Sequence, residues 1–264
     1  MVRELLRKLV FFPLAGILAL MPAAGLGQSG SFEITQNRTV VGSASYSVRA
    51  TPSGFDSTSL VHVDMQGLNY SLSKTEKLGP HSHLVHVLLS GIVNGSAVSI
   101  IGRPEAGQIL LNISANGRSS TTQLAGHAAS VVLPDFDPGA LETLLVLAAE
   151  QSNRDLWAVI PKRAGSVAPI QLATYADEQG TLDGRPVLVH HLIATIAGNE
   201  IDLFAGSENR LLQAELPDQG FALVRKGFVL TPPAKPIAPP EQPGTAPQQP
   251  GTPPAPPPNS LPTE

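Results

Sequence analysis

The sequence predicts a mainly β protein: a strongly bent antiparallel sheet, a half-barrel, with one short helix packed on or in it and a disordered proline-rich tail. Three observations predict it. Short runs of alternating apolar and polar residues fill positions 28–230, the period-2 signature of strands with one buried face. Turn signals punctuate these runs, among them Asn94-Gly95, Asn116-Gly117, Asp183-Gly184 and Gly198-Asn199. Asn-Gly between two apolar runs is the strongest short-range hairpin signal. Most connections are also too short to carry a crossover helix, so neighbouring strands run antiparallel.

Residues 1–27 come first. Arg3, Arg7 and Lys8 form a basic start, an apolar run from Leu9 to Leu20 follows, and Ala23-Ala24-Gly25 or Gly25-Leu26-Gly27 offers a cleavage site. This reads as a secretory signal peptide. The alternative is an uncleaved anchor. Pro13 and Pro22 interrupt the run, whereas a membrane span needs about 20 apolar residues. The expected address is the periplasm or the exterior. The chain has no cysteine, which excludes disulfides, thiolate metal sites and a lipidated cysteine; the domain must hold together by its core.

Strands are expected near 32–36, 43–50, 55–66, 68–77, 82–93, 96–102, 108–115, 118–125, 156–160, 169–177, 186–197, 200–206, 210–216 and 220–230. In 68–73 the alternation is clean: Leu68, Tyr70 and Leu72 share one face, Asn69, Ser71 and Ser73 the other. One segment breaks the pattern. Asp137 is a helix N-cap, Pro138 suits the first helical position, and Leu141, Leu144, Leu145 and Ala148 form a stripe, giving a helix over about 137–151. Such a stripe must be buried, and the sheet is the only large partner.

Two strands are apolar on both faces. Val85, Val87, Leu89 and Val93 oppose Leu84, His86, Leu88 and Ile92; Val187, Val189 and Ile193 oppose Leu188, Leu192 and Ile196. An antiparallel strand of this kind needs cover on both sides. A curved sheet wrapped around a helix, with a filled core or an apolar cavity, supplies it. By parity, Val85, Val87, Leu89, Val189 and Ile193 are the residues expected to line an apolar ligand.

The segment GPHSHLVHVLLSG at 79–91 concentrates histidine. On a strand His81 and His83 share a face, and same-face imidazoles can converge on one ion. A third ligand would have to come from His62, His127, His190 or His191, and the Glu of a cupin-like pattern is replaced by Val87 and Leu88. The preferred reading is therefore no metal and no cofactor, with His81 and His83 at the exposed start of a strand. Adjacent His190 and His191 point to opposite faces. Gly25-Leu26-Gly27-Gln28-Ser29-Gly30 matches a dinucleotide-binding spacing but lies at the cleavage region. Asp135 and Asp137 read as helix-start residues rather than a catalytic pair. No hydrolase, metalloprotease or P-loop motif occurs, and no reaction is read from the sequence.

The formal charge is −4, and removing the net +2 of residues 1–27 leaves −6. No basic patch is left for nucleic acid. Residues 231–264 are dominated by proline, with QPGT at 242–245 and 249–252. They cannot build a core, and read as a solvated tail, with a spacer or an envelope-protein ligand as the alternative.

The order of elements after the helix is a pattern of strands and turns rather than a signature motif. Trp157-Ala158-Val159-Ile160-Pro161 is followed by Asp183-Gly184-Arg185-Pro186-Val187, the Gly198-Asn199 hairpin, Asn209-Arg210-Leu211 through Pro217, and Gly220-Phe221-Ala222-Leu223-Val224-Arg225. Over about 155–230 this resembles exported bacterial β-clam proteins, the lipoprotein carriers of the LolA type and related periplasmic families. The resemblance implies a bent sheet holding a helix, with a concave apolar surface for an acyl chain or lipid-linked peptide; no single binding residue carries over. The expectation is a monomeric, non-enzymatic envelope protein that binds a lipid or other apolar ligand. The alternatives are a scaffold or adaptor acting through 231–264, and a histidine-metal enzyme.

Overall fold

The computed structural model describes residues 27–150, 155–162 and 164–232. The expected signal segment and nearly all of the proline-rich tail lie outside these residues. The chain divides into the units Met1–Thr231 and Pro232–Glu264, and the fold is that of the first.

The first half is an up-and-down meander. Gln28–Gln36 (β1), Thr39–Thr51 (β2), Gly54–Met65 (β3), Leu68–Leu78 (β4), Leu84–Val93 (β5), Ser96–Glu105 (β6), Gln108–Ala115 (β7) and Arg118–Ala125 (β8) each pair antiparallel with the next. The two-residue turns explain the tight succession. Asn94 and Gly95 both take positive φ, 48° and 79°, the mirror-image turn whose twist matches that of the strands it joins.

The second half begins with Ala129–Val132 (β9), crosses through the helix Pro138–Glu150 (α1) and returns as Leu156–Ile160 (β10), parallel to β9. This is the one parallel pair among the described strands. It exists because a helix bridges it. Ser166–Thr174 (β11), Glu178–Leu182 (β12), Arg185–Ile196 (β13), Asn199–Ala205 (β14), Leu211–Leu216 (β15), Phe221–Arg225 (β16) and Phe228–Leu230 (β17) complete the sheet. Strand β16 pairs with β1, so the two halves share one sheet of 17 described strands, strongly curved and open.

The expected single strand at 220–230 is two strands, broken at Lys226-Gly227, where Gly227 has φ 82°. Strands β9 and β12 escape the alternation pattern. β9 is four residues long and every one is buried, so it has no polar face to alternate with.

The helix sits on the inner face of the curve. Residues 138–145 and Leu147 are all buried, and its side chains join a core that includes Phe32, Ile34, Val61, Val63, Leu72, Leu111 and Leu223. A helix buried all round belongs inside a core rather than on a surface. A smaller second core, Val189, Phe204, Leu212 and Phe228, lies on the opposite face of β13–β15, beneath the β12–β17 pair.

Candidate functional site

The inner face is apolar except beneath the first two turns of α1. Asp137 caps the helix as the sequence predicts: its Oδ1 accepts from the backbone N–H of Gly139 at 2.9 Å and of Ala140 at 3.3 Å. Its other oxygen faces a buried cation. Lys74 Nζ stands 2.8 Å from Asp137 Oδ2 and 3.2 Å from Glu76 Oε2, with all three side chains 0% exposed.

Strand parity puts Lys74 and Glu76 there. They continue the buried series Tyr70, Leu72, Lys74, Glu76, Leu78 along β4. Cross-strand register adds two buried hydroxyls: Ser59 lies opposite Lys74 and Ser57 opposite Glu76. Burial alone would push Lys74 down. The carboxylates of Asp137 and Glu76 outweigh it and hold the ammonium above its ordinary value. Burial pushes the Glu76 carboxyl up, only partly offset by Lys74. The three side chains form a buried ion triad, and this pairing is what makes a buried lysine tolerable.

One turn further along α1, Glu142 is 2% exposed. Its Oε2 accepts from the backbone N–H of Leu211 at 2.7 Å. The Tyr46 hydroxyl is hydrogen-bonded to the same carboxyl group, whose Oε1 is fully buried. Burial raises the Glu142 carboxyl, opposed by the Leu211 N–H, the Tyr46 hydroxyl and the charges of Arg225 and Arg210.

Glu142 also stands at the wall of a cavity of about 290 Å³ between α1 and the ends of β2–β4, with Val48, Ala50, Phe55, Leu78 and Val146 as its apolar walls. That volume lies at the small end of ligand pockets, which run about 300–1,000 Å³. A second apolar recess of about 290 Å³ lies at the other end of the helix, against Phe136, Leu141, Ile160 and Leu223.

The five residues expected to line a ligand do not share one surface. Val87 and Leu89 are 0% and 1% exposed within the main core. Val85 is 46% exposed. The β4–β5 register runs Lys77 to His86 and then Leu78 to Leu84, so Val85 is the extra residue of a β-bulge and turns outward. Val189 belongs to the second core, on the face of β13 away from the helix, and Ile193 shares its parity, whereas Ala194 and Ile196 face the main core. None of the five lines either cavity described above. The expectation that both two-sided strands are covered on both faces also needs correction. Val189 of β13 lies in the second core, but Leu188 of β13 remains 48% exposed, and Leu88 and Ile92 of β5 remain 37% and 48% exposed.

The histidines are not arranged on one strand face. Pro80–Ser82 forms a 3₁₀ turn, with His81 at φ 58°, and β5 starts only at Leu84. His83 Nδ1 donates to the Pro80 carbonyl at 2.5 Å. His191 lies between Glu178 Oε1 at 3.2 Å and Asp202 Oδ1 at 2.8 Å, stacked on Phe204. Among the described residues no group of three or more histidines and carboxylates is placed to hold a metal.

Sequence reasoning missed Lys74, Glu76 and Glu142. For the first two the signal was present: extending the Tyr70–Leu72 parity by two steps lands on Lys74. No protein-family model matches this chain, and none of the curated proteins does.

Proposed function

We propose that this is an exported, non-enzymatic envelope protein that binds an apolar ligand between α1 and the sheet. The observation that carries the reading is the cavity walled by Val48, Ala50, Phe55, Leu78 and Val146. Apolar side chains around a recess on the inner face of a curved sheet favour an apolar guest, at about 25 cal/mol per Å² of surface withdrawn from water. The resemblance to bent-sheet lipid carriers read from the order of strands and turns over about 155–230 favours the same reading. The buried triad ties the start of the adjoining helix to β4 through Asp137 and Lys74.

The test uses the uncharged dye Nile red and the intact protein. Wild type is expected to bind the dye and to yield lipid on organic extraction and mass spectrometry. Val146→Trp, which fills the cavity, is expected to abolish both while leaving the circular dichroism spectrum unchanged. A wild-type protein that carries no lipid and ignores the dye overturns the proposal.

A further inference from the structure

We infer that Lys74 and Asp137 join through a side-chain amide, an isopeptide bond that ties β4 to the start of α1, with Glu76 as the proton carrier. This goes beyond the apolar-ligand reading and does not depend on it.

Such a bond needs an amine, a carboxyl group, a proton carrier and the exclusion of water. Lys74 Nζ lies 2.8 Å from Asp137 Oδ2, and the carbon it attacks, Cγ, is bonded to that oxygen. Reacting groups held in contact reach effective concentrations far above those of free solutes. Asp137 Oδ1 accepts from the N–H groups of Gly139 and Ala140 at 2.9 and 3.3 Å. Two backbone donors at a helix N-terminus stabilise the negative charge that forms on this oxygen when Nζ adds to Cγ. Glu76 Oε2 stands 3.2 Å from Nζ, within reach for proton transfer. Burial raises its carboxyl, so it takes up a proton more readily than an exposed glutamate. All three side chains are 0% exposed. Burial favours the neutral amine and acid over the ion pair, and it keeps out the water that would reverse the reaction.

The step balances without a co-reactant. The ammonium passes one proton to Glu76, and the amine lone pair attacks Asp137 Cγ, placing the carbonyl electrons on Oδ1. The nitrogen then gives up a second proton. Both protons go to Oδ2, one of them delivered by Glu76, and the bond from Cγ to Oδ2 breaks as water leaves. Ammonium and carboxylate become a neutral amide, and Glu76 ends as it began. Ser57 and Ser59 lie opposite Glu76 and Lys74, with buried hydroxyls that have no hydrogen-bond partner among the described residues; they are placed to receive the departing water. Oδ1 becomes the amide oxygen and keeps its cap. Glu76 is the poorer acyl partner, because it stands further from Nζ and no donor among the described residues reaches its Oε1. Before the bond closes, the cluster is the ion triad described above. In a chain without cysteine, the amide supplies a covalent tie between distant segments that no disulfide can.

Tryptic mass spectrometry of the purified full chain tests this, with circular dichroism to verify folding. Wild type is expected to give a branched peptide, lighter than its two parts by one water, in which Lys74 resists cleavage and carries the segment containing Asp137. Lys74→Arg keeps a buried cation but stays protonated and cannot attack; it is expected to give linear peptides only. Glu76→Gln retains both reacting groups and is expected to slow the linkage at least about a hundredfold, read as the linked fraction of freshly synthesised chain against time. Linear peptides alone from folded wild type overturn the proposal. So does a link from Lys74 to Glu76, or a loss of water that maps to another site. A Glu76→Gln chain that links as fast as wild type overturns the proton-carrier role. Should either variant not fold, the wild-type peptide map decides.

Discussion

Lys74 is held in the core by two carboxylates, and each contact is a lever on stability. Removing one partner of a buried ion pair leaves uncompensated charge and costs about 3–5 kcal/mol. Lys74→Met strands both Glu76 and Asp137, which meet the ammonium at 3.2 and 2.8 Å. Urea denaturation is expected to show a loss of that size; a loss under about 1 kcal/mol would refute the triad's role. Glu76→Gln acts differently. Burial raises the Glu76 carboxyl above its ordinary 4.5, so the folded state holds this proton more tightly than the unfolded chain. Its contribution is complete below pH 4.5 and is lost as pH rises through the folded value. Denaturation curves collected upward from pH 4.5 are therefore expected to show a shallower fall for Glu76→Gln than for wild type. Parallel slopes would mean that Glu76 ionises in the core without penalty.

At the scale of the element, α1 shows how local rules and packing can disagree. Glycine in a helix interior is worse than alanine by about 1 kcal/mol, so propensity alone favours Gly139→Ala. Packing opposes it. A Cβ at Gly139 would stand 2.4 Å from Ser59 Oγ and 3.2 Å from Tyr46 Cβ, because the capped first turn lies directly on β2 and β3. Gly139→Ala is expected to destabilise by about 1–3 kcal/mol, and Ser59→Ala in the same chain to restore most of the loss. Thermal melts of the single and double variants check this; a Gly139→Ala protein more stable than wild type would show that the helix does not rest where described. The local reading of this segment succeeded where the chemistry is local. Asp137 caps and Pro138 opens the helix, as expected, while the expected end at about Gln151 lies outside the described residues. Burial on every side was not legible from the stripe, because Glu142 and Thr143 interrupt it and are buried all the same.

Across the whole molecule, several protons are held more tightly in the fold than in the open chain. Lys74 is raised by its two carboxylates despite burial, and Tyr46 and Tyr70 are raised chiefly by burial. Each contribution is complete below the ordinary values of 10.0 for tyrosine and 10.5 for lysine, and is lost as pH rises above them. With no disulfide to limit opening, the fold is expected to lose stability steeply above pH 10. Far-ultraviolet circular dichroism against pH measures it, with Tyr70→Phe shifting the alkaline limb upward. A fold indifferent to pH in that range would contradict the burial of these groups.

By itself the sequence determined the β class, the order of the meander, the hairpin turns, the single helix and its cap. These follow from side-chain period and turn chemistry, which act over a few neighbouring residues. The tertiary structure alone decided which face each residue of β5 takes, since the bulge at Val85 arises from pairing with β4 and reverses the parity before it. It also decided that the two faces of β13 serve different cores, and that Lys74 could be buried at all. Parity points Lys74 inward beside Glu76 of the same strand; the second carboxylate, Asp137, reaches it only because the fold brings the distant helix cap there. The cavity beside Glu142 has the same origin, because its walls come from strands and a helix far apart in the chain, and space between elements has no local signature.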